Sequence, residues 1–129
     1  MSTHPTPVDP PQLYRSPAFA QGMIVPAGPT LHVGGQNGTD GEGNLVEGGL
    51  GPQTEQALRN LLAVLAEAGA GPEHVAKMTI HLDPSLDPTE AYAASRAVWG
   101  DHRTAVTVLA VAPARPGALV EIEAGAAGP

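Results

Sequence analysis

The sequence predicts an α+β domain, with two helices packed on one face of a mixed β-sheet. Three observations carry this. One long segment repeats apolar residues at helical spacing, and others alternate apolar and polar residues as half-buried strands do. A second helix, opened by Pro88 and stopped by Gly100, lies between two of those strands. The predicted order is β-β-α-β-α-β-β. Helices cover one face of such a sheet, and the other face needs its own cover. A neighbouring subunit is the natural one.

The elements follow in chain order. Residues 1–12 contain His4-Pro5-Thr6-Pro7 and Pro10-Pro11 and read as a flexible N-terminal arm; residues 13–129 read as a single domain. Phe19 to Val25 is moderately apolar. Pro26 and Gly28-Pro29 make a turn, and Thr30 to Gln36 alternates with Leu31 and Val33 on one face, so the two segments read as a β-hairpin. Residues 37–51 form a loop. Asp40, Glu42 and Asn44 have the spacing of a calcium loop, but Leu45 stands where the sharp-turn Gly belongs and Gly51 where a bidentate Glu belongs. An ordinary turn is the reading.

Pro52 to Ala68 is a helix. Leu58, Leu61, Leu62 and Leu65 form its apolar stripe, and Gln53, Glu55, Gln56, Arg59 and Asn60 its wet face. Pro52 suits the first helical position, and Gly69, Gly71 and Pro72 end the element. Val75 to Leu82 is a strand with Ala76, Met78, Ile80 and Leu82 on one face and Lys77, Thr79 and His81 on the other. Asp87-Pro88-Thr89-Glu90 supplies a cap, a Pro at N1 and an acid at N3 for a helix running to about Trp99. Thr104 to Ala112 is β-rich, with Val106, Val108 and Ala110 on one side and Leu109 and Val111 on the other. After a turn at Pro113 to Gly117, Leu119 to Ala124 is the last strand. Val120 and Ile122 point inward, and Glu121 and Glu123 lie on the opposite face.

Composition bounds the function. A chain of 129 residues holds one domain, and with one Trp, one Phe and two Tyr its core is built from aliphatic side chains. So thin a core gains from burial between subunits. A net charge of −7 with six basic residues disfavours nucleic-acid binding. The absence of cysteine removes disulfide, thiolate and Cys–zinc chemistry. No stretch resembles a signal-peptide core or a membrane span, so a cytoplasmic location without membrane association is expected.

Common catalytic signatures are absent: no G-x-S-x-G, H-E-x-x-H, P-loop or dinucleotide fingerprint. The five His residues, at 4, 32, 74, 81 and 102, show no ligand spacing, so no metal is expected. Arg103 precedes a strand, and its guanidinium suits bidentate capture of a carboxylate. Spacing alone favours an exposed Arg or a surface ion pair there. Glu121 and Glu123 are merely solvated on an open face, but in a cleft either could act as a general base or orient a water.

Several segments together carry a resemblance. These are Gly34-Gly35-Gln36, the glutamine-bearing helix, Val75-Ala76-Lys77-Met78-Thr79-Ile80-His81-Leu82, Arg103-Thr104-Ala105-Val106-Thr107-Val108, and Gly117-Ala118-Leu119-Val120-Glu121-Ile122-Glu123-Ala124. In this order and spacing, over about residues 14–126, the chain resembles the YjgF/Rid family. The resemblance implies a chorismate-mutase-like fold, a homotrimer through the uncovered face, and clefts between subunits. It implies cofactor-independent hydrolysis of 2-imino or 2-enamino acids to 2-oxo acids and ammonia. In that frame Arg103 corresponds to the Arg that grips the substrate carboxylate and Glu121 to a cleft glutamate that positions or activates water. Gly35 corresponds to a glycine whose backbone borders the ligand, Phe19 to an aromatic position usually held by Tyr, Ala105 to a frequent Cys or Thr, and Tyr92 to a usual Asn.

Departures from the family pattern include the missing hydroxyl at Phe19, Gly34 in place of a common Ser, the short segment before Arg103 and a long turn at 112–117. Arg115 lies too close to Glu121 and lacks a following strand, so it is not the anchor. Two other functions compete with the deaminase. One is a non-catalytic trimer that binds a small carboxylate in the same cleft. The other is the endoribonuclease activity named for some relatives, against which the charge and the few aromatics argue. Imines hydrolyse readily in water, so fixing the carboxylate and placing one water suffices as catalysis.

Overall fold

The structure, a computed structural model, describes residues 4–129. In chain order its strands are β1 (Thr6–Val8), β2 (Phe19–Ala20), β3 (Gly22–Ile24), β4 (Thr30–Gln36), β5 (Val75–Leu82), β6 (Thr104–Ala110) and β7 (Val120–Ala127). The helices are α1 (Leu50–Glu67) and α2 (Thr89–Trp99). Five strands form a mixed sheet in the order β2-β6-β5-β7-β4, and β1 pairs with β3 in a small separate sheet. The two parallel pairings, β2 with β6 and β5 with β6, flank β6; β7 runs antiparallel to both β5 and β4. This is the α+β mixed sheet with two helices that the periodicity predicted.

Period-2 alternation sets the two faces of the sheet. Val33, Met78, Leu82, Val120, Ile122, Ala124 and Ala126 turn to the helix side and are buried. Leu58, Leu61 and Leu65 of α1 close the core from above, at 1% relative exposure or less. Burying each such leucine is worth roughly 1.5–3 kcal/mol, and truncating one to Ala costs about 2–5 kcal/mol because a cavity remains. The second face carries Lys77, Thr79, His81, Thr107, Glu121 and Glu123, with no helix over it.

Helix ends follow from local chemistry. The Asp87 carboxylate accepts from the backbone N–H and the hydroxyl of Thr89 (2.9 and 2.7 Å), which fixes the entry to α2. Gly100 ends α2 at φ 74°, a left-handed conformation that glycine adopts without a Cβ penalty. Glu90 does not close a capping box. Its Oε1 accepts from the Gly51 N–H at 2.9 Å, a donor the first turn of α1 leaves unpaired, and so joins the two helices.

Four expectations change. Phe19 to Val25 and Thr30 to Gln36 are not a hairpin: β2 joins β6 at one edge of the sheet, β4 joins β7 at the other, and β3 pairs with β1. The Pro26–Pro29 turn carries the chain between edges rather than back on itself. The N-terminal segment read as a flexible arm contributes β1 and, beyond it, Asp9 (residues 1–3 lie outside the described residues). Helix α1 starts at Leu50, so Pro52 sits within its first turn and not at its head. Finally, the wet face assigned to α1 is partly internal. Gln53 is buried; its Oε1 accepts from Leu119 N–H and its Nε2 donates to the Gly117 carbonyl. Asn60 donates to the carbonyls of Asn37 and Thr39. These amides clamp loops whose backbone groups would otherwise lack partners. In the loop at 37–51, Asp40 Oδ1 accepts from the amides of Glu42 and Asn44, an ordinary turn as expected.

Candidate functional site

Arg103 immediately precedes β6, where the chain leaves Gly100 and turns into the sheet beside β2. Its side chain is mostly buried, 16% exposed, and its donors are aimed by backbone. Nε donates to the Ser16 carbonyl at 3.2 Å and Nη2 to the Phe19 carbonyl at 2.8 Å. The two terminal nitrogens grip the Asp9 carboxylate end-on, Nη1 to Oδ2 at 2.7 Å and Nη2 to Oδ1 at 2.9 Å. The bidentate bond with Arg103 lowers the Asp9 carboxyl to about 2, helped by the Gln21 amide and by Arg15, whose Nη1 lies 3.5 Å away. The same bond raises the Arg103 guanidinium.

Of the other residues singled out from sequence, Phe19 touches Arg103 through its backbone carbonyl, while its ring lies with Tyr92 in a cavity that Arg103 does not line. The Phe19 and Tyr92 rings meet edge to face, with centroids 6.5 Å apart. Ala105 follows two residues after Arg103 and pairs with Ala20 of β2. Phe19 and Tyr92 line an open, mainly apolar cavity of about 440 Å³ between α2 and β5–β6. Ala91 and Ser95, one turn apart on the inner side of α2, leave this space unfilled, and Thr54 of α1 also borders it. The Thr54 hydroxyl is buried without a hydrogen-bond partner.

Glu121 belongs to a second cluster. Its Oε1 accepts from Asn37 Nδ2 at 3.2 Å, and its carbonyl lies 3.4 Å from His81 Nδ1. Gly35 is pressed against it: a Cβ there would fall 2.5 Å from Glu121 Oε2, so only glycine leaves that carboxylate where it stands. Glu123 lies 4.0 Å from His81 Nε2. Gly35 and Glu121 are therefore brought together, and Phe19 meets Tyr92, but Arg103 touches Phe19 only at the Phe19 carbonyl and lines a separate cavity, and Glu121 is brought to none of these. Glu121 pairs with His81 at one end of β5, while Ala105 pairs with Lys77 and Arg103 lies further toward the other end. About six residues of strand separate them, roughly 20 Å.

Sequence reasoning missed Asp9 and Asn37. Asp9 lay in a proline-rich segment with no periodicity to place it, and Asn37 in a Gly-rich loop whose path β4 decides. Arg115 is exposed and donates to the Gly43 carbonyl, away from both clusters. Among the described residues one group, His4, Glu73 and His74, brings potential metal-ligand atoms within 4.8 Å of one another; His74 Nδ1 already accepts from the Gly71 amide. No helix among the described residues is long and apolar enough to cross a membrane.

A five-stranded mixed sheet under two helices, with an arginine at the head of an inner strand and a glutamate at the opposite end of the strand two places away, defines a small α+β class. The family model described as Endoribonuclease L-PSP matches residues 13–128. The 2-iminobutanoate/2-iminopropanoate deaminase of Rattus norvegicus is 33% identical over 108 residues, 83% of this chain and 77% of that protein. A RutC family protein of Pyrococcus abyssi is 30% identical over 103 residues, 79% and 81% of the two chains. Among solved structures, the Rid family protein YyfB of Yersinia pestis superposes with a TM-score of 0.85 at 31% identity, covering 96% of this chain and 98% of its own. RidA of an Antarctic Psychrobacter gives 0.71 at 27% identity, covering 98% and 99%. The chain belongs to the YjgF/RutC/Rid family.

Proposed function

We propose that the protein hydrolyses 2-imino or 2-enamino acids to 2-oxo acids and ammonia, with Arg103 as the carboxylate anchor. The observation that carries this is the aim of Arg103. Two backbone carbonyls fix its guanidinium so that paired N–H groups face outward and hold a carboxylate in the bidentate geometry an acid substrate would use. The deaminase names of relatives that are about one-third identical support the reaction class. With the carboxylate held, the apolar remainder of the substrate lies in the cavity that Arg103 lines with Met23 and Pro72. An enamine first tautomerises to the imine; water then adds across C=N, hydroxide to carbon and its proton through Glu121 to nitrogen, and the carbinolamine expels ammonia as its hydroxyl proton passes through Glu121 to nitrogen and the C=O forms. One water is consumed, and no cofactor enters the balance.

Arg103 and Glu121 of one chain stand too far apart to share a small acid. The proposal therefore places each site between copies, Arg103 from one and Glu121 from the next, in a homotrimer closed through the helix-free face. The test is ammonia release from 2-iminobutanoate generated in situ. Arg103→Ala is expected to lower the acceleration by on the order of 100-fold through lost orientation. Glu121→Gln is expected to lower turnover roughly 100-fold while leaving 2-oxobutanoate binding in place. If the unmodified protein binds 2-oxobutanoate but does not speed hydrolysis, it is a carboxylate-binding trimer and not an enzyme.

A further inference from the structure

The outward edge of Arg103 is already occupied by Asp9, and the occupant comes from outside the five-stranded sheet. Asp9 follows β1, a strand of three exposed residues whose sheet partner is β3 alone. Pro7, at the centre of β1, has no N–H to give the pairing. Thus β1 is held by few backbone bonds and little buried apolar area, while the carboxylate at its end is held by several donors. The Asp9 side chain is 8% exposed, against Arg103 Nη1 and Nη2, the Gln21 amide at 3.2 Å and Arg15 Nη1 at 3.5 Å. Pro10 and Pro11 follow at once, and Leu13 N–H closes a turn onto the Pro10 carbonyl. This stiff turn delivers Asp9 to Arg103 from one side.

We propose that Asp9 is a tethered competitor for Arg103, occupying the position of a ligand carboxylate and leaving when a ligand binds. This rests on the reading of Arg103 as the carboxylate anchor. A bidentate guanidinium edge receives one carboxylate, so Asp9 and a ligand exclude each other there. The tether gives Asp9 an effective concentration in the millimolar range or above, which a free acid must overcome. A carboxylate by itself does not: acetate or formate offers Arg103 nothing that Asp9 lacks. The acids that win carry an apolar portion as well, which gains contact with Met23 and Pro72 in the cavity that Arg103 lines. Asp9 is in this sense a specificity-determining residue, setting a threshold that short polar acids fail. Arg15, whose side chain is 71% exposed and whose Nη1 lies 3.5 Å from Asp9 Oδ2, adds positive charge at the position the incoming carboxylate would take.

The experiment titrates 2-oxobutanoate and acetate into the full chain, Asp9→Ala, Asp9→Asn and Arg103→Ala, with calorimetry as the readout. The competitor predicts at least a tenfold tighter Kd for 2-oxobutanoate in Asp9→Ala and Asp9→Asn. It also predicts acetate binding that appears only in those variants, and no binding in Arg103→Ala. Hydrogen exchange on the unmodified protein supplies a readout that needs no variant to fold: saturating 2-oxobutanoate should speed exchange in the β1–β3 pair. Equal 2-oxobutanoate affinity with and without Asp9, lost in Arg103→Ala, would overturn the competitor and leave the anchor standing. Unchanged β1–β3 exchange at saturation would do the same. Absence of binding in every form, Asp9→Ala included, would overturn the anchor reading and the competitor with it.

Discussion

Asp9 is the carboxylate that its partners in the fold hold furthest below its ordinary range. The Arg103 bond, with the Gln21 amide and Arg15, holds its carboxyl at about 2, below the ordinary value of 3.8. A carboxyl depressed on folding stabilises the native state above its unfolded pKa, and that contribution is lost as pH falls through the folded one. The window for Asp9 is therefore about pH 4 down to about pH 2. Asp83 and Asp87 are lowered too, by the hydroxyl and amide of Ser85 and by the amide and hydroxyl of Thr89. Their contributions also fade on acidification. In urea titrations across this range, Asp9→Ala should lose less stability between pH 4 and pH 2 than the unmodified chain; equal slopes would mean that the ion pair is not formed in solution. None of this was legible in the sequence. Arg103 was found from the family resemblance of its place before the strand, and an exposed Arg or a surface ion pair was the reading its spacing favoured. The partner, however, lies 94 residues away in a proline-rich segment whose composition says nothing of where it docks.

At the scale of elements, periodicity read most of the architecture. The α1 leucine stripe, the alternation in β7 and that in β5 from Met78 onward matched the burial observed, because each element meets the core on one face; at the head of β5 a register shift between Val75 and Lys77 buries Val75 where Ala76 was expected. The hairpin reading failed because Phe19–Ala20 and Thr30–Gln36 both suit edge positions, and local sequence does not say which edge. The wet face of α1 was misread for a related reason. Gln53 and Asn60 are polar yet turned to loop backbone, and a polar residue that satisfies buried backbone looks, in sequence, like one that faces water. Helix α2 presents the opposite case, with small residues where packing would favour large ones. Ala91 and Ser95 leave the space beside Ile80 and Val108 open, and the Thr54 hydroxyl buried there lacks a partner. Ser95→Leu should raise stability by about 1 kcal/mol through added apolar burial, and Thr54→Val by about 1 kcal/mol by removing an unpaired buried hydroxyl. Urea unfolding with unchanged m-values checks both. Destabilisation by either would mean that the cavity is filled in solution.

At the scale of the whole molecule, the decisive feature is the separation of Arg103 from Glu121 along the sheet. The register places them roughly 20 Å apart, further than a small imino acid spans. The face that would bring copies together carries Lys77, Thr107, His81 and Glu123, with Lys77 Nζ donating to Thr107 Oγ1 and His81 near Glu123. Exposed Leu109, paired with His81, and Ala105, paired with Lys77, lie among these polar groups, so association through it would combine apolar burial with charge and hydrogen-bond complementarity. A site shared between copies makes a prediction that a site within one chain cannot. Arg103→Ala and Glu121→Gln are each expected to be inactive, yet each retains what the other lacks. Co-refolded or exchanged in equal amounts, they should form mixed trimers in which an intact Arg103 faces an intact Glu121 at about one site in four. Imine hydrolysis should therefore recover to about a quarter of the unmodified rate, and light scattering should report a trimer in every sample. Recovery requires both variants in one oligomer, so it should be absent when the two are assayed together without exchange. Failure to recover in demonstrably mixed trimers would place the chemistry within one chain and remove Glu121 from it, since Arg103 cannot reach that carboxylate along its own sheet.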